Sequence, residues 1–153
     1  MRALLVLAAF AMVAACGETS ASPSQAAASP TAERFGTATL TETACNVEMP
    51  NNLPLRTVSF SLVNKSKYVG HFIFLIIEDG RTFKDLVDYW NSPMGQEQRP
   101  SFVTEIAAAD VSTNSSDQMV ATVVRAGTYA IHCGYLDRAT NKVTGFWHVL
   151  KTG

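Results

Sequence analysis

The 153-residue chain has little charge, few cysteines and no catalytic signature. Twelve Lys and Arg stand against thirteen Asp and Glu, a net charge of −1. That balance leaves no basic field for nucleic acid, so nucleic-acid partners are excluded. No internal repeat is present, which excludes a solenoid or propeller. There is no Gly-x-Ser-x-Gly elbow, His-Glu-x-x-His helix, Cys-x-x-Cys pair or phosphate-binding glycine loop. The common hydrolase, zinc-peptidase, dithiol and nucleotide chemistries therefore lack their residues. The carboxylates Glu105, Asp110 and Asp137 are scattered and read as surface charge, so a non-enzymatic role is expected.

What is present begins with MRALLVLAAFAMVAAC. Arg2 precedes an apolar run from Ala3 to Ala15, too short for a span of about 20 residues and suited to a signal-peptide core. Val13-Ala14-Ala15-Cys16 resembles a bacterial lipobox. The resemblance implies cleavage after residue 15 and lipid on Cys16, holding the mature chain at a membrane of the cell envelope, facing the periplasm or exterior. The following GETSASPSQAAASPTAE is poor in large apolar groups and reads as a tether over residues 16–33. A flexible chain of that length spans on the order of 20–25 Å.

Residues 34–153 are enough for one domain with one core, and the domain reads mainly as strands. LRTVSFSLVN alternates, with Val58, Phe60 and Leu62 on one face. HFIFLIIE is apolar on both faces and is expected as a central strand. A single strand region is expected over 36–49, with others near 101–107, 117–124, 128–133 and 145–151. Asp79-Gly80 is a turn signal. Thr82 to Asp85 fits a capping box, and Phe83, Leu86, Val87 and Trp90 form one apolar helical stripe. The helix is expected to cover a sandwich edge. About seven short strands with regular turns argue for an all-β sandwich with one helical insertion.

Cys16 goes to lipid, which leaves Cys45 and Cys133 in an oxidising compartment where disulfides persist. Alternation in GTYAIHC puts Tyr129, Ile131 and Cys133 on the core face and turns His132 to solvent. In GFWHVLK, Trp147 and Val149 are placed inward and His148 outward. His71 follows Gly70 at the start of the most apolar strand, as a rim histidine or a ligand.

Asn64-Lys65-Ser66, Gly70-His71 and the strand from Gly127 to Cys133 resemble cupredoxin-like domains, implying a Greek-key β-sandwich. The blue-copper set is two histidines, a thiolate and a weak axial ligand. The loop GYLDRATNKVT after Cys133 holds neither a histidine nor a methionine. A closer resemblance runs through Cys45-Asn46-Val47-Glu48-Met49-Pro50, Leu53-Pro54 and Cys133-Gly134-Tyr135-Leu136. It is to the cupredoxin-like domain of EfeO-type periplasmic iron-uptake proteins, which tend to carry an acidic residue where this chain has His71. The resemblance implies that Cys45, His71 and Cys133 meet at one end of the sandwich, with Glu48 near. Such a set would hold copper or zinc for carriage or electron transfer. The same closeness lets Cys45 and Cys133 form a disulfide, giving a metal-free module that binds a ligand or an unknown envelope protein. Both expectations stand at this point.

Overall fold

The computed structural model describes residues 32–50, 52–96 and 98–152. The expected signal peptide, the lipidated Cys16 and nearly all of the tether lie outside the described residues.

Among the described residues the chain forms two sheets. The strands are β1 (Glu33–Leu40), β2 (Cys45–Glu48), β3 (Asn52–Leu53), β4 (Thr57–Asn64), β5 (Gly70–Ile77), β6 (Val103–Val111), β7 (Ser115–Thr122), β8 (Thr128–Asp137) and β9 (Lys142–Thr152). One sheet runs β2-β1-β4-β7 and the other β3-β9-β8-β5-β6. β1 lies parallel to β4 and β3 parallel to β9, while the remaining pairs are antiparallel. This is the all-β sandwich with one short helical insertion that the sequence predicts.

The main core lies between the sheets. Val58, Phe60 and Leu62 of β4 face Phe72, Phe74 and Ile76 of β5, with Tyr129 and Ile131 of β8 beside them. Phe74 stacks on Tyr129 at 5.3 Å, and the Tyr129 hydroxyl donates to the Arg125 carbonyl at 2.8 Å. β5 lies between β8 and β6, as its two apolar faces require.

That second apolar face explains the helix. Ile73, Leu75 and Ile77 point out of the sandwich and would be exposed without a cover. Helix α1 (Phe83–Trp90) lays Leu86, fully buried, and Phe83 onto them. Thr82 caps it: its Oγ1 accepts from the Asp85 amide at 3.2 Å, and its own amide donates to the Asp85 carboxylate at 2.7 Å. The turn before it is Asp79-Gly80, both residues at positive φ, as the sequence signals. The helix covers the outer face of the five-stranded sheet, not an edge of the sandwich. The corrected reading follows from β5, whose outward side chains need a full layer over them.

The expected strand over 36–49 is two strands joined at Thr41. The Thr41 amide donates to the Ala44 carbonyl at 2.8 Å, and Thr41 Oγ1 accepts from the Ala44 amide at 3.1 Å. A threonine turn without glycine or proline leaves little mark in the sequence.

Asn64 ties the two sheets together. It ends β4, is fully buried, and its Nδ2 donates to the carbonyls of Tyr68 (2.8 Å) and Val111 (2.9 Å), the latter on β6 of the other sheet. Its Oδ1 accepts from the Ser66 amide at 2.9 Å and the Ser66 hydroxyl at 2.8 Å. The Asn-x-Ser turn is thus a structural latch whose polar atoms are all paired.

Candidate functional site

Cys45 and Cys133 are joined by a disulfide, with Cα atoms 6.0 Å apart. Cys45 opens β2 of one sheet and Cys133 lies in β8 of the other, so the bond staples the sandwich across its core. Cys133 is fully buried, on the same face as Tyr129 and Ile131 as alternation requires.

Of the four expected ligands only Cys45 and Cys133 are brought together. Both sulfurs are spent on each other. His71 shares its face with Ile73, Leu75 and Ile77, which is the outer face, while Cys133 is on the inner one. Glu48 sits on edge strand β2, exposed, on the opposite side of that strand from Cys45 and Val47. Among the described residues no three His, Cys, Asp or Glu side chains converge. The donor set therefore does not fit a thiolate–imidazole copper centre. The expectation fails because the side-chain period of a strand is two: residues close along the ends of neighbouring strands still lie on opposite faces of the sheet.

His132 is the principal correction. Alternation places it on the outer face of β8, and the structure does so, but that face is not solvent. The residue is 3% exposed. It packs against two indoles, 4.5 Å from Trp147 and 5.3 Å from Trp90 of the helix between ring centres, and the indoles themselves meet edge-on at 5.2 Å. Its floor is a glycine pair. Gly134 and Gly145 face each other across β8 and β9. A Cβ built on Gly145 would stand 2.2 Å from His132 Nε2, and one on Gly134 would stand 2.8 Å from its Cε1. Neither position tolerates a side chain without displacing the imidazole.

Neither ring nitrogen of His132 has a hydrogen-bond partner among the described residues, nor has the Trp147 indole nitrogen. Burial, and then the charge of nearby His71, hold the His132 pKa down to about 4. The ring is thus neutral at ordinary pH, with one nitrogen able to donate and the other to accept.

Trp147 faces the helix with His132, while Phe146 and Leu150 face the core. This reverses the expected facing of β9. His148 is exposed as expected, but for another reason. It lies on the core side of β9, beyond the reach of β3, which pairs only at Lys151 and Thr152. Of the helix aromatics, Trp90 reaches the His132 site, and Tyr89 packs edge-on against Phe102 at 6.0 Å.

His71 stands at the mouth of this outer site. It is half-exposed, and its Nδ1 is 2.5 Å from the Asp110 carboxylate on β6. His132 lies opposite Ile73 in the β5–β8 ladder, so the two histidines are diagonal neighbours on one face. Between them and the segment after the helix lies a cavity of about 410 Å³. The sequence carries a signal for it: two glycines inside strands, which mark a close approach, and a helical stripe that must cover a sheet face.

No protein-family model matches the chain, and no curated protein matches it. Among solved structures, dithionite-reduced auracyanin from the photosynthetic bacterium Roseiflexus castenholzii is similar, with a TM-score of 0.47 and 16% identity over 76% of this chain and 94% of that one. A likeness of that size carries no ligand and no residue role across to this chain.

Proposed function

We propose that the domain is a disulfide-stabilised, non-enzymatic binding module, displayed on a lipid anchor at the surface of a membrane of the cell envelope. The observation that carries this reading is the Cys45–Cys133 bond. The expected centre on Cys45 and Cys133 needs thiolates, and a disulfide supplies none. His71, left alone on the outer face, is paired with Asp110 instead. The anchor at Cys16, the envelope location and the relation to EfeO-type domains are supported by the sequence patterns. The outer-face cavity is where the module would meet a ligand or a protein partner.

The rival reading keeps a metal, copper above all, for carriage or electron transfer. It requires both thiols to be reduced and His71 to cross to the inner face of the sheet.

The test uses a full chain carrying Cys16→Ser, purified under air. Intact mass before and after reduction should differ by two hydrogens, with no free thiol in the unreduced sample. Stoichiometric copper binding with a thiolate charge-transfer band in that unreduced sample would overturn the proposal.

A further inference from the structure

The end of the sandwich where the chain enters carries an exposed apolar pair. β1 runs parallel to β4, and Glu33, its first residue, stands beside Val58. The entry is tied down there. The Ser59 hydroxyl donates to the Ala32 carbonyl at 3.4 Å, and the Glu33 carboxylate pairs with Arg56 at 2.7 Å. At the same end, the β4–β7 ladder stops at Thr57 and Thr122. One more bond follows, in which the Val123 amide donates to the Arg56 carbonyl at 3.1 Å. Leu55 and Val124 are the next residues beyond that bond, one on each chain, and they are 56% and 73% exposed.

Single exposed aliphatic side chains are ordinary on a protein surface. These two are neighbours, and Arg56, bonded to the chain entry, adjoins Leu55. Charge does not bar this end from a membrane. Arg56 neutralises Glu33, and Arg125 neutralises Glu78. Arg34 and Lys151 have no acidic partner among the described residues and offset Asp79 of the nearby turn. A second exposed apolar group, Val69, Leu136 and Val143, lies at the far end, beside the mouth of the outer cavity. The ten residues of β8 separate the two ends by about 30 Å at the rise of a strand.

From Cys16 to Glu33 the chain advances 17 residues. A chain of that length spans on the order of 20–25 Å, less than the length of the sandwich. An anchor at Cys16 therefore keeps the entry end closer to the bilayer than the far end. Tethering also makes the encounter intramolecular, so a contact too weak to hold a free domain becomes populated.

We propose that the entry end of the domain rests on the bilayer that holds the anchor, with Leu55 and Val124 seated among the headgroups and upper acyl chains. The arginines beside them keep their charged heads in the headgroup layer while their stems lie along the apolar contact. The proposal rests on the reading of Cys16 as the lipidated residue, and it adds the face that meets the membrane. Docked in this way, the domain turns Leu136, Val143 and the cavity mouth away from the lipid.

The test expresses the full chain in a bacterium, extracts it from the membranes and measures its mass for acyl groups. The acylated protein is reconstituted into vesicles of three parts phosphatidylcholine to one part phosphatidylglycerol, with and without brominated acyl chains. Val124→Trp and Leu136→Trp are compared, each read as the difference from the parent chain with its own Trp90 and Trp147. Brominated lipid should remove most of the added emission of Val124→Trp and leave that of Leu136→Trp. Adding Leu55→Asp to Val124→Trp should abolish the quenching. An acylated chain whose Val124→Trp emission ignores the brominated lipid overturns the contact alone. So does equal or stronger quenching of Leu136→Trp, or indifference to Leu55→Asp. A blue shift of Val124→Trp emission with rising concentration of the Cys16→Ser chain, without vesicles, would give the face to a second copy and overturn the proposal. A chain recovered without acyl groups overturns the anchor reading itself.

Discussion

Protonating His132 is the sharpest perturbation of the outer site. Its pKa lies near 4 in the folded chain, against 6.5 for an unperturbed imidazole. The unfolded chain therefore takes up a proton that the folded chain refuses, and acid favours unfolding. The sign follows: this group leaves stability untouched above pH 6.5, erodes it as pH falls from 6.5 to about 4, and adds no further loss below. The gap corresponds to about 3 kcal/mol, a large fraction of the roughly 5–15 kcal/mol that holds a domain folded. Asp85 and Asp137 add their own acid sensitivity, because hydrogen bonds to backbone amides hold both carboxyl groups below their usual range. A His132→Leu variant shares that background, so the difference between the two proteins isolates the imidazole. Urea unfolding of both should be measured at intervals from pH 7.5 to 4. The gap should shift toward the variant by about 3 kcal/mol across that range, concentrated below pH 6.5. Parallel profiles, or an NMR titration placing His132 near 6.5, would refute the buried neutral imidazole.

Other expectations follow from the same geometry. Reducing the disulfide, or replacing Cys45 by alanine, should cost about 4–5 kcal/mol in urea unfolding, because 88 residues separate the two cysteines. Asn64→Ala should cost about 2–4 kcal/mol, since it strands the Val111 carbonyl and the Ser66 amide in the interior. Gly145→Ala should displace the His132 ring, with a loss of about 1–3 kcal/mol and a changed near-UV signal from Trp90 and Trp147. Gly80→Ala, at φ +67 with open space around it, should cost only about 1 kcal/mol, read as a small shift in melting temperature.

The inner half of the molecule was legible because each strand there obeys one rule. Val58, Phe60 and Leu62 alternate, and β4 puts them in the core. Tyr129, Ile131 and Cys133 alternate, and β8 does the same. The capping box at Thr82 and the turn at Asp79-Gly80 are local chemistry and needed no tertiary information. The site was misread where a second layer intervenes. Alternation names the face of His132 but not what lies over that face. The missing step was available in HFIFLIIE: a strand apolar on both sides implies a cover on its outer side, and the neighbouring strand shares that side. Putting the Phe83–Trp90 stripe there would have buried His132 from sequence alone. The Cys45–Cys133 bond had no such route, since spacing does not choose between a staple and a metal.

Residues 132 and 133 divide the work of the strand. Cys133 holds the two sheets together on one face, and His132 carries the buried imidazole on the other. Because neighbouring side chains in a strand cannot serve one centre, a cysteine committed to the inner face leaves its neighbour to a separate environment. The helical insertion creates that environment by closing over His132 with Trp90, and the glycine pair makes room for the ring beneath it. A blue-copper arrangement would need the thiolate and both imidazoles to converge on one point. Here the thiol is consumed inside the core and the histidines His71 and His132 share the opposite face. What the outer face of the sheet carries is therefore a buried neutral imidazole under an aromatic cover, one residue along the strand from a covalent staple on the inner face.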